Sequence, residues 1–306
     1  MKKFLLPLLL LPLLFACSNK QKVKELKLAS NEFMTQDMKE EIKAAKLGVK
    51  SRTLITYFYD KYGKKAEKGD KVEEIFYDES GNKAVQIRYA SGGLVDLQYE
   101  WHYDDDGNMR YSKTTDMYGT ELFYRESEYN AEGDEINREE RDKKSREEIE
   151  TIYTFGDNGK LIEELRRHKM GSVVSRKVFK YDSTKIVAIE NYDLNGIKRG
   201  QRVYQYDSLG YVSKEILSEG PNFSNTTNYT FDKNGNILEI DEGYFRRTFE
   251  YDDNGNVIVE TAYNQDGYLQ QKLIFAYNSK GLIESRIKTD GEESPVIFTE
   301  YQYEFF

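Results

Sequence analysis

The stretch YDDNGN, Tyr251 to Asn256, decides the fold. Asp252 can accept hydrogen bonds from backbone N–H groups two residues on, and Gly255 supplies the positive φ that closes a type I turn in a G1 bulge. Near-copies recur as YDESGN from Tyr77, YDDDGN from Tyr103 and FDKNGN from Phe231. The stretch therefore reads as a hairpin turn that the chain uses many times.

Outward from that turn, the glycines set a rhythm. Gly81, Gly93, Gly107, Gly119 and Gly133 are separated by 12, 14, 12 and 14 residues, and the rhythm returns at Gly255, Gly267 and Gly281. Ser145 stands where a glycine is missing between Gly133 and Gly159, and the double spacing shortens to 25 from Gly171 to Gly196 and from Gly210 to Gly235. Both common intervals are even, so a strand of period two keeps a constant phase relative to its turns. The structural turn glycines are Gly81, Gly107, Gly133, Gly159, Gly235, Gly255 and Gly281.

The segments between turns alternate as strands do. In GLVDLQYEWHY, Val95, Leu97, Tyr99, Trp101 and Tyr103 share one face and Asp96, Gln98, Glu100 and His102 the other. An aromatic pair precedes many turns: Tyr57/Tyr59, Trp101/Tyr103, Phe249/Tyr251, Phe275/Tyr277 and Tyr301/Tyr303 are examples. The chain holds 25 Tyr and 16 Phe against 4 Pro, at a mean hydropathy of −0.78. So many strand-favouring aromatics in so hydrophilic a chain suggest sheet faces stabilised by cross-strand ladders. The expected fold class is all-β: an elongated, curled antiparallel meander of about 18 short strands built from 12/14-residue hairpin repeats, with a short N-terminal helix. At a strand spacing of about 4.8 Å such a ribbon is on the order of 80 Å long.

The motifs YDESGN, YDDDGN, FDKNGN and YDDNGN resemble the YD, or RHS, repeats of bacterial surface and toxin proteins, and the tandem two-strand units also look like MORN repeats. YDLNGI from Tyr192, YDSLGY from Tyr206 and YNSKGL from Tyr277 are looser. The resemblance spans about residues 53–303. It implies stacked β-hairpins, often linked to carbohydrate or surface contact, and brings no catalytic residues.

The N-terminus carries an address. MKKFLLPLLLLPLLFACSNK opens with two lysines, an apolar run from Phe4 to Phe15 and a small residue before Cys17, the plan of a signal peptide. Leu14-Phe15-Ala16-Cys17 resembles the lipobox of bacterial lipoproteins, which implies cleavage before Cys17, lipidation of that cysteine, and a location at the outer membrane or cell surface. Residues 1–16 then form a signal peptide, 17–34 a tether, 35–48 a capping helix from Thr35 to a stop at Gly48, and 49–306 the YD-like repeat domain. In Asn137 to Glu150, Glu139–Lys143 and Glu140–Lys144 have helical spacing, but the repeat register passes through. Two strands exposed on both faces are the preferred reading.

Cys17 is the only cysteine, so no internal disulfide holds the fold. The formal charge of −9, with both signs interspersed, lacks the basic stripe that a nucleic acid needs. The Asp/Asn-rich turn at Tyr251 imitates the start of a calcium loop, but its twelfth position is Thr261 and its flanks read as strands. His102 and His168, the only histidines, show no metal-ligand or triad spacing, and no nucleophile motif is present. The expectation is a non-enzyme without cofactor or metal. It binds a glycan, with Tyr99, Trp101, Tyr103, Phe249, Tyr251, Phe275 and Tyr277 as the candidate ligand-binding residues; the alternative is a protein-interaction scaffold or an immunity-type partner in the envelope, and a hydrolase ranks third. The chain end EYQYEFF is expected to offer a strand edge to a partner sheet.

Overall fold

In the computed structural model, residues 36–220 and 222–306 are described. The signal peptide, Cys17, the tether and Thr35 lie outside them. One helix, α1 (Gln36–Lys46), precedes twenty strands. They are β1 (Val49–Phe58), β2 (Asp70–Tyr77), β3 (Lys83–Tyr89), β4 (Val95–Tyr103), β5 (Met109–Asp116), β6 (Glu121–Tyr129), β7 (Glu135–Asp142), β8 (Glu147–Phe155), β9 (Leu161–His168) and β10 (Val173–Asp182). The second half comprises β11 (Lys185–Tyr192), β12 (Lys198–Tyr206), β13 (Val212–Glu219), β14 (Phe223–Phe231), β15 (Ile237–Asp241), β16 (Phe245–Tyr251), β17 (Val257–Asn264), β18 (Leu269–Tyr277), β19 (Ile283–Thr289) and β20 (Pro295–Phe305).

Each strand pairs antiparallel with its sequence neighbours, and β1 also pairs with β20, setting Arg52 opposite Tyr303 and Leu54 opposite Tyr301. The sheet is therefore a closed 20-stranded barrel. This corrects the expected open meander of about 18 strands: accumulated twist and tilt bring the first strand back to the last, and closure pairs both edges. The expected free edge at EYQYEFF is absent for the same reason, since β20 lies between β19 and β1. Twenty strands at about 4.8 Å make a ring roughly 30 Å across before tilt widens it.

The turns alternate between two rims. Those after even-numbered strands, with YDESGN, YDDDGN, FDKNGN and YDDNGN, form one rim (the YD rim); those after odd-numbered strands, with the looser YDLNGI, form the far rim. At the YD rim the Asp252 carboxylate accepts from the backbone N–H groups of Asn254 and Asn256, at 2.9 and 2.8 Å, and from the Asn256 side-chain amide at 2.8 Å. The same aspartate–asparagine clasp joins Asp78 to Asn82, Asp104 to Asn108 and Asp232 to Asn236. The motif's second and sixth residues are thus chosen as a pair. Gly255, at φ 79°, donates to the Asp252 carbonyl, and the other six turn glycines named above adopt the same positive φ. In the turn after β7, Arg146 rather than Ser145 holds the left-handed position, at φ 60°. The first shortened spacing has a cause in a two-residue turn, Ser183–Thr184, closed by Asp182 opposite Lys185.

The tyrosine of the motif ties its even strand to the odd strand that it pairs with on its N-terminal side. The hydroxyls of Tyr103, Tyr129, Tyr181, Tyr206, Tyr277 and Tyr303 each donate to a carbonyl 20 residues back, at the start of the adjoining odd strand. Tyr277, for example, donates to Val257 at 2.7 Å. Tyr277→Phe is expected to lower stability by about 1 kcal/mol, the usual net worth of one hydrogen bond. Urea unfolding against Tyr62→Phe, whose ring is 82 % exposed, checks this.

Three apolar clusters lie on one sheet face, and each draws on adjoining elements. Tyr153, Leu161, Phe179 and Ile186 form one; Val257, Phe275 and Ile283 form another; Ala44 of α1 joins Val49, Ile75, Tyr77 and Leu282 in the third. This is the inner face, on which α1 rests. The helix ends on Lys43 and Lys46, which suit its C-terminal dipole, and Gly48 follows at φ 66°. It does not cover a free strand edge, as expected, but crosses the seam at the YD rim. Lys43 donates to the Gly281 carbonyl and to Asn256 Oδ1, the Glu40 carboxylate accepts from the Ile283 N–H, and Glu41 pairs with Lys83.

Residues 137–150 are strand, turn and strand, as preferred, but their side chains are not all exposed. Glu139 pairs across the sheet with Lys169 and Glu140 with Arg166, at 3.1 and 3.6 Å. Cross-strand partners replace the helical ones that the spacing also allowed.

Candidate functional site

The inner wall gathers the aromatic faces. Register places Trp101 opposite Ser112, and Tyr99 between Gln86 and Thr114. Period two then turns Tyr99, Trp101 and Tyr103 to the side of buried Ile75 and Tyr77. Tyr57 and Tyr59 are the exception among the pairs: Tyr57 lies on the outer wall, its hydroxyl 3.2 Å from Glu300. Even strands thus bring aromatics inward, while odd strands contribute polar groups such as Gln86, Arg88 and Glu260.

The seven candidate residues fall on two arcs of this wall, three on β4 and four on β16 and β18. The hydroxyls of Tyr103, Tyr251 and Tyr277 are committed to the carbonyls of Lys83, Ile237 and Val257. Burial pushes all three phenols up, Tyr251 to about 12, with the Asp232 charge adding to the effect there. Phe275 is buried at the centre of its cluster, and Phe249 packs against it. Tyr99 and Trp101 remain half-exposed and stack, with ring centroids 6.0 Å apart and planes 14° from parallel. Lys83 sits over the Trp101 ring at 5.4 Å, and Arg88 is exposed on the same face. An aromatic floor with cationic and amide neighbours suits the apolar faces and hydroxyls of a sugar.

Gln86 and Arg88 were not among the residues singled out from sequence. The signal was present: they alternate on the strand next to Tyr99, but only the register shows that they share its face. The Gln86 amide donates to Glu73 at 2.5 Å. Elsewhere on the wall, Glu135 is held by Arg138, by Arg125 at 3.0 Å and by Ser127 at 2.6 Å. Burial alone would raise its pKa, but these donors and charges bring it below the usual carboxylate value.

His102 faces outward and stacks on Tyr111 at 4.1 Å. The turn carboxylate of Asp252 is occupied by its own backbone and Asn256, so the calcium-like spacing serves the turn. Among the described residues, no group of three or more His, Cys, Asp or Glu side chains is placed to hold a metal ion, and no helix is long and apolar enough to cross a membrane.

The Teneurin YD-shell family model matches residues 142–293, from the end of β7 to the turn before β20. Among solved structures, TcdB2-TccC3 without its hypervariable C-terminal region is similar at 16% identity and a TM-score of 0.39. That match covers 74% of this chain, which spans only 14% of the other. A porin-like protein from Bacteroides uniformis is similar at 9% identity over 84% of this chain and 98% of its own, also with a TM-score of 0.39. No curated protein matches the chain. Turn clasp, tyrosine tie and family model agree, and the chain is a YD-repeat-like β protein.

Proposed function

We propose that this protein is a non-catalytic binding protein of the bacterial cell envelope, anchored by lipid at Cys17, whose inner wall takes carbohydrate at Tyr99 and Trp101. The observation that carries the reading is the half-exposed Tyr99–Trp101 stack beside exposed Arg88, on a wall where the other candidate aromatics are spent on packing or on backbone carbonyls. The leader and the Leu14-Phe15-Ala16-Cys17 stretch support the address. Stacking on an indole face needs no catalytic group, which fits a wall whose charged side chains are largely paired with one another.

Trp101 is the only tryptophan, so its emission reports on this site alone. Fragment 36–306 contains α1 and every strand of the closed barrel and is the form to use. Screening it on a glycan array, then titrating the best oligosaccharide, is expected to change Trp101 emission. Trp101→Ala is expected to weaken binding about tenfold or more, as loss of a central aromatic anchor does. A blank array, or undiminished affinity in Trp101→Ala, overturns the reading.

A further inference from the structure

The two rims differ in kind. At the YD rim the exposed turn tips are acidic, with Asp105, Asp106, Glu132, Asp157 and Asp253 among them. At the far rim the tips carry large apolar side chains held out in solvent: Tyr62, Leu94, Tyr118, Met170, Leu194 and Tyr268 are 62–100% exposed. Exposed charges of both signs stand beside them, Lys61, Lys144 and Lys169 as well as Asp60, Asp266 and Glu292. Single exposed apolar residues are ordinary, but turn after turn carrying one at the same end of a barrel is not.

We propose that the far rim docks on a lipid bilayer surface. The proposal rests on the envelope placement above and adds an orientation to it. Charge favours this end over the other, because the acidic YD rim is repelled by anionic headgroups while the mixed charges of the far rim are not. Spacing favours a bilayer as the occupant. Successive far-rim tips are two strands apart, about 10 Å, so they form no packed centre of the kind that a protein partner buries. A fluid interface takes tyrosine, leucine and methionine side chains one at a time.

The barrel rests on the bilayer and does not span it. Its outer wall carries Glu100, Lys113, Glu126, Arg141, Glu150 and Arg167 along the strands, where a membrane-spanning barrel has an apolar band. Residues 17–35 reach up to about 60 Å when extended, about twice the length of a nine-residue strand. An anchor at Cys17 therefore permits the far rim to face the membrane although α1 lies at the other rim.

The test is vesicle co-sedimentation of fragment 36–306, which lacks Cys17, with phosphatidylethanolamine vesicles made with and without phosphatidylglycerol. The expected result is pelleting with both kinds of vesicle, carried by the apolar tips and little weakened by salt. Combining Tyr62→Ser, Tyr118→Ser, Met170→Ser and Tyr268→Ser is expected to weaken it about tenfold or more, with an unchanged circular dichroism spectrum because all four side chains are exposed. Leu209→Ser, at an exposed YD-rim tip, is expected to leave it unchanged. No pelleting, equal pelleting of the far-rim variant, or a dimer in solution that the variant abolishes while vesicles bind nothing, overturns the proposal. The assay contains no carbohydrate, so its failure is separate from a blank glycan array.

Discussion

Phe275→Ala is expected to lower the stability of the barrel by about 3 kcal/mol or more, the range for deleting a buried aromatic side chain. Phe275 is 9% exposed and touches a cluster built from β16 to β20, including Phe249, Leu273, Tyr277 and Tyr301. Its removal opens a cavity between strands whose neighbours are fixed by ladder hydrogen bonds, so the walls cannot collapse to fill it. Ile274→Ala, one residue away on the outer wall and 38% exposed, is expected to cost well under half as much. Urea denaturation of both variants gives the comparison. Phe275 was a candidate ligand residue from its sequence pattern, and this result assigns it to packing. A Phe275→Ala barrel that keeps its stability but loses oligosaccharide binding would reverse that assignment.

The turn at Tyr251 and the strand phase around Trp101 were legible in the sequence because both are local. The clasp closes within five residues, and a side chain's face follows from counting by two. Closure was not legible. Whether Arg52 meets Tyr303 depends on twist and tilt summed over all the strands, a quantity no single repeat contains. Asn137 to Glu150 shows the intermediate case: its charges have helical spacing and also suit cross-strand pairing, and β6 and β9 on either side decided between them. The candidate site was half legible. The sequence put seven aromatics on one face, but the tyrosine ties that commit Tyr103 and Tyr277 run 20 residues back to the start of another strand. They follow from the register of whole paired strands, which carries the end of one strand back to the start of its neighbour.

Gly81 and Gly107 occupy the same place in the repeat, at φ 84° and 78°, yet alanine is expected to act very differently at the two. At Gly107 the added Cβ meets nothing within 4 Å, so the cost is the left-handed backbone alone, about 1–2 kcal/mol. At Gly81 it lies 2.7 Å from the Ala45 Cβ and 2.9 Å from the Ala45 Cα. Backbone of α1 cannot yield as a flexible side chain would, so the helix must lift, disturbing Ala44 against Ile75 and Leu282 and the Glu41–Lys83 pair. Gly81→Ala is expected to cost roughly 3 kcal/mol or more, the scale of a core disruption. It is also expected to make the 36–46 segment cleavable by protease while the strands stay protected. Ala45→Gly in the same chain removes the nearer clash but leaves the helix backbone in the way, so it should restore part of the difference and not all of it. The comparison isolates the helix from the turn: equal losses at Gly81 and Gly107 would mean that α1 is not seated across the seam, and the seam would then rest on the β1–β20 ladder alone.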